Sequence, residues 1–82
     1  MSTNYLLYPN PFITETTLMT NNILRNATVR LYNSIGQDVE HIANISGHQL
    51  TIFKKDLPTG IYFLHLKEEN GNWITEKLII SD

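Results

Sequence analysis

The stretch Ala27-Thr28-Val29-Arg30-Leu31-Tyr32-Asn33-Ser34-Ile35-Gly36-Gln37 decides the fold. Ala27, Val29 and Leu31 alternate with Thr28, Arg30 and Tyr32, the period of two that a half-buried strand requires. Asn33 to Gly36 then supplies turn residues, and Gly36 offers a backbone conformation that other residues resist. Gln37–Ala43 reads as the returning strand of a hairpin. In it Val39 and Ile42 stand three apart, which predicts a bulge.

Working outward, Ser46-Gly47 reads as a turn into a strand over Gln49–Phe53, with Leu50 and Ile52 on one face. Leu57-Pro58-Thr59-Gly60 reads as a second turn. It leads into Ile61–Lys67, where Tyr62, Leu64 and Leu66 oppose Ile61 and Phe63. Two apolar faces predict a central strand covered on both sides. Asn70-Gly71 predicts a hairpin through a type I′ turn, and Trp73–Ile80 is the last strand. Upstream, Tyr5–Tyr8 is a short strand stopped by Pro9-Asn10-Pro11. The prolines cannot donate to a ladder, so a strand here must be an edge or must end there. Thr16–Thr20 reads as a further strand ended by Asn21-Asn22.

Composition agrees with the pattern. Ten isoleucines, nine threonines and two valines stand against two alanines, and nine asparagines favour turns. These proportions suit strands and tight turns rather than helices. The 82 residues make one domain. The expectation is an all-β fold of about seven short antiparallel strands in an immunoglobulin-like sandwich, with a closed barrel compatible with the same pattern.

Several chemistries find no support. A net charge of −2 without a Lys/Arg cluster argues against nucleic acid. The absence of cysteine removes disulfides, thiolate metal sites and cysteine nucleophiles. His41, His48 and His65 show no ligand-pair spacing, and Asp38 and His41 face opposite ways unless a bulge intervenes. Ser46, His48 and Asp56 lack a nucleophile elbow or an oxyanion loop. Glu68-Glu69 with Asn70 and Asn72 lacks calcium-loop spacing. Asn26-Ala27-Thr28 and Asn44-Ile45-Ser46 match a glycosylation sequon, but asparagine also suits a turn there. Trp73, Tyr32 and Tyr62 invite a sugar platform. Their spacing fits better with Tyr62 in the core, its hydroxyl bonded to backbone near a turn, and Trp73 packed at a sheet edge. The expectation is a domain that is not an enzyme, has no cofactor or metal, and takes no small-molecule substrate.

An ordered set of stretches carries a resemblance. Tyr8-Pro9-Asn10-Pro11-Phe12 comes first, followed by Ala27 to Val39 and then Ser46-Gly47. Asp56-Leu57-Pro58-Thr59-Gly60-Ile61-Tyr62-Phe63-Leu64 and Glu76-Lys77-Leu78-Ile79-Ile80 complete it. Together they resemble the type A C-terminal sorting domain of the type IX secretion system of Bacteroidetes, over residues 8–82. Residues 1–7 would be a linker and first edge segment.

The resemblance implies an immunoglobulin-like sandwich with an N-terminal cargo domain in the precursor. It implies recognition by the outer-membrane type IX machinery and removal by a sortase-like protease, leaving the cargo secreted or on the cell surface. The 82 residues, which show no leader, are then read as the C-terminal end of a longer exported chain. Pro58, Gly60, Tyr62, Lys77, Leu78, Ile79 and Ile80 would carry the signal, with Pro9, Asn10, Pro11 and Gly36 as structural motif residues. Strand addition to the terminal strand is one way the signal could be read. The chain departs from many family members in ending Ser81-Asp82 rather than in a basic tail, with Lys77 the single basic residue of the last strand. An accessory module of a cell-surface protein, binding carbohydrate or another protein, is the alternative.

Overall fold

A computed structural model describes residues 5–82, so the first half of the expected 1–7 segment lies outside the described residues. The strands are β1 (Tyr5–Tyr8), β2 (Glu15–Asn33), β3 (Asp38–Phe53), β4 (Gly60–Lys67) and β5 (Trp73–Ile80). Among the described residues there are five rather than about seven. The difference lies in β2 and β3, which run unbroken through the places where the sequence suggested turns.

Strand β2 changes its second partner along its length, while β3 pairs with β2 throughout. The first part of β2 lies between β1 and the end of β3, as in Leu7↔Leu18 and Leu18↔Leu50. The second part lies between the start of β3 and β4, and β4 continues to β5. The result is a three-stranded layer and a four-stranded layer joined through one bent ribbon, all pairs antiparallel.

Extra residues produce the bend. Burial falls on Thr16, Leu18, Thr20 and Leu24, then switches phase to Ala27, Val29 and Leu31. The register slips between Leu24 and Ala27, where Asn26 has φ of 50°. Opposite it, β3 slips between Ile42 and Ile45, where Asn44 has φ of 58°. A bulge inserts an unpaired residue, turns the strand and exchanges its faces. Asparagine tolerates the left-handed region, so the sequon positions Asn26 and Asn44 are bulge residues. The expected bulge in the returning strand is also present, with Val39 unpaired between Leu31↔Glu40 and Tyr32↔Asp38.

The β2–β3 turn uses Gly36 at φ 86°, and the Asn33 side chain accepts the amides of Ile35 and Gln37. The β4–β5 turn is built alike and is not type I′. Only Gly71 has positive φ, Asn70 does not, and the Gly71 amide bonds the Glu68 carbonyl at 2.9 Å. With five residues between the strands, a type I turn plus a left-handed glycine closes the loop.

The core combines Phe12, Leu18, Leu24 and Ile52 with Val29, Leu31, Tyr62, Leu64, Leu66, Leu78 and Ile80. Strand β4 has neighbours on both edges but is covered on one face alone. Ile61 is 46% exposed and Phe63 40% exposed. Their apolarity belongs to an open sheet face, not to a second buried one.

Candidate functional site

The terminal strand β5 divides its side chains by parity. Ile74, Leu78 and Ile80 are buried, while Trp73, Thr75 and Lys77 are exposed and Ile79 is partly so. The proposed signal residues therefore split into Leu78 and Ile80, which are core, and Lys77 and Ile79, which face outward beside Phe63 and Ile61.

The Pro9-Asn10-Pro11-Phe12 segment clasps the outer edge of β5. Both X–Pro bonds are cis. The Asn10 amide donates to the Lys77 carbonyl at 2.8 Å, and its oxygen accepts the Ile79 amide at 3.0 Å. Phe12 continues the pairing as a one-residue parallel bridge to Ile80. Its amide bonds the Ile79 carbonyl, and its carbonyl accepts the Ser81 amide, both at 2.9 Å. The Phe12 ring is buried, and the Thr16 hydroxyl ties the Pro9 carbonyl back to β2 at 2.6 Å. An edge strand's unpaired backbone groups invite another chain. Here the segment satisfies those of the last third of β5. Among the described residues, no hydrogen bond covers the outward backbone groups of Trp73 and Thr75. Beside them Tyr5 on β1 donates its hydroxyl to Glu76 at 2.9 Å. That bond, then burial, then the carboxylate's charge raise the Tyr5 pKa above the ordinary tyrosine value.

Pro58, Gly60 and Tyr62 form a corner beneath β4. The buried Tyr62 donates its hydroxyl to the Pro58 carbonyl at 2.6 Å, four residues upstream. Such a tyrosine corner recurs in immunoglobulin-like sandwiches. Gly60, between them, has φ of 150° and pairs with Ile80. These three sit close to the end of β5, so the turn and the terminal strand form one structural unit. Gly36 lies in the separate β2–β3 turn.

The outer face of the four-stranded layer holds an arrangement that spacing along the chain did not reveal. Cross-strand rows place His41, Arg30, His65 and Thr75 side by side, next to Thr28, Lys67 and Trp73 on one flank and Tyr32, Phe63 and Lys77 on the other. The Val39 bulge puts Asp38 and His41 on the same face, and Asp38 pairs with Arg30 at 3.0 Å. Trp73 does not pack on a sheet edge. It is 56% exposed, with the His65 ring centroid 4.0 Å away and Lys67 Nζ 5.0 Å from its ring centre. Tyr62 points inward, so it shares no platform with Trp73 and Tyr32. Among the described residues no three metal-ligating side chains converge, and no hydrogen bond links Ser46, His48 and Asp56.

Comparison with known proteins bears on the whole chain. The sequence model of a family described as secretion system C-terminal sorting domain matches residues 6–81. No curated protein matches the chain. Among solved structures, a DUF3244-family protein from Bacteroides vulgatus, with an immunoglobulin-like β-sandwich fold, is similar over 98% of this chain and 95% of its own. The TM-score is 0.73 at 16% identity, a likeness of fold.

Proposed function

Because the chain belongs to the secretion system C-terminal sorting domain family, we propose that it is the address by which the type IX machinery takes a cargo, carried N-terminal to it, across the outer membrane. Membership makes this a sorting domain for export toward the cell surface. The finer steps are our reading. The domain binds the outer-membrane machinery, has no catalytic role, and is cut from its cargo by a sortase-like protease.

The observation that carries the reading is the parity of β5. Leu78 and Ile80 hold the strand in the core while Lys77 and Ile79 are displayed outside, next to Ile61 and Phe63. A reader that contacts β5 can therefore touch Lys77 and Ile79 without unfolding the domain. The clasp limits strand addition to the stretch around Trp73 and Thr75, because the backbone near Ile79 is already bonded. Side chains, more than backbone, are then the basis of recognition at the strand's end.

The test is a reporter carrying a periplasmic leader and residues 1–82, in a bacterium with a working type IX system. Export to the surface or medium is expected, and retention in the periplasm overturns the proposal. Cutting the chain at Lys77 is a poor test of the signal, since it also removes Leu78 and Ile80 from the core. The double substitution Lys77→Glu with Ile79→Ser avoids this. It should leave the melting temperature within a few degrees and stop export. Unchanged export would move the signal away from the outward face of β5.

A further inference from the structure

On the outer face of the four-stranded layer lies a shallow groove of about 300 Å³, lined by Thr28, Arg30, Tyr32, His65, Lys67 and Trp73. Three strands build it, so its floor is rigid. Its lining holds two fixed cations and no anion. Arginine, lysine, imidazole, indole and hydroxyl groups all offer hydrogens, and no carboxylate lines it. Asp38 engages one nitrogen of Arg30 from the rim, leaving further guanidinium hydrogens. Lys67 has no carboxylate within ion-pair distance among the described residues. Arg30 and Lys67 against Asp38 at the rim leave the groove one charge positive in a chain whose net charge is −2. Like charges gathered in one groove repel, and a bound anion relieves that repulsion.

We propose that this groove binds an acidic sugar, a saccharide ring bearing a carboxylate or a phosphate, with its anionic group between Arg30 and Lys67 and its ring against Trp73. The groove's volume suits one or two sugar rings. A neutral sugar would leave the net positive charge of Arg30 and Lys67 without a counter-charge, and it is the anionic group that distinguishes the ligand. An acidic peptide fits less well. Strands β2 and β4 are paired on both edges here, so an extended chain would pair with the open edge of β5 at Trp73 and Thr75 instead of lying across the groove floor. Hydroxyls on Thr28 and Tyr32 complement a polyhydroxylated ring instead. The site is separate from the outward end of β5 and does not depend on the export role.

Trp73 is the sole tryptophan, so its fluorescence reports on the groove directly. The intact domain is titrated with a glucuronate disaccharide, glucose 6-phosphate, glucose, inorganic phosphate and a glutamate oligopeptide, with backbone chemical shifts followed in parallel. Saturable binding of the glucuronate or of glucose 6-phosphate, with glucose much weaker, is expected, and the stronger of the two identifies the acidic group. Lys67→Gln and Arg30→Gln should each weaken it about tenfold, the worth of a charge-assisted hydrogen bond, while Lys54→Gln leaves it unchanged. Thermal melts verify that each variant is folded. Absence of saturation by both acidic sugars overturns the proposal. Equal or tighter binding of phosphate alone or of the glutamate peptide overturns it as well, by reducing the groove to a general anion site or a peptide site.

Discussion

Asn10 is the residue whose role is most disproportionate to its size. One side chain supplies both a donor and an acceptor to the backbone of β5, as a neighbouring strand would. Asn10→Ala should therefore cost about 1 kcal/mol per bond lost, read by urea unfolding, and should speed hydrogen exchange at the Ile79 amide. Unaltered exchange there would show that the clasp contributes nothing to closing the edge. Gly60 makes a different demand. A Cβ at this position meets nothing within 4 Å, so any cost of substitution lies in the backbone at φ 150°. Gly60→Val should lower stability by about 1–3 kcal/mol, and an unchanged melting temperature would refute the conformational argument. The turn around Pro58 and Gly60 could be read from the sequence because those residue types constrain the backbone locally. The clasp could not, since Asn10 meets Lys77 and Ile79 from 67 and 69 residues away and no local rule encodes that distance.

At the scale of the element, the same residue chemistry served two purposes that sequence alone does not separate. Asn21-Asn22 and Ser46-Gly47 read as turns between short strands, yet β2 and β3 continue past them, with extra residues of β2 interrupting the register between Met19 and Leu24. A positive-φ residue can reverse a chain, or it can insert a bulge and leave the strand running. Which one occurs depends on whether the partner strand bulges to match, and here Asn44 answers Asn26. The alternation from Ala27 to Tyr32 and the bulge at Val39 were legible because both are patterns within a few residues. The bulge at Asn26 gives a sharp prediction. Asn26→Gly should be close to neutral, whereas Asn26→Val should cost about 1–2 kcal/mol, because a β-branched residue resists the left-handed region. Equal melting temperatures for the two variants would mean that the bulge has moved.

Across the whole molecule, two open surfaces and one closed edge define what a partner can reach. The four-stranded layer shows Ile61, Phe63 and the cationic groove to the outside, and the clasp closes the end of β5. Burial of alternate residues was readable from period-two patterning. Whether an apolar face is covered was not, because that depends on there being another layer above it, and among the described residues none lies over Ile61 and Phe63. The groove was not legible for a related reason: Arg30, Lys67 and Trp73 come from three strands and are neighbours through register alone. The parallel bridge between Phe12 and Ile80 has a mechanical consequence. Tension between the chain ahead of Pro9 and the tip of β5 would pull two parallel segments lengthwise past each other. The bonds made by Asn10 and Phe12 would then be strained together instead of opening one after another. A tug from the cargo side would load the β1–β2 pairing first and then this seam, right beside the outward residues of the terminal strand.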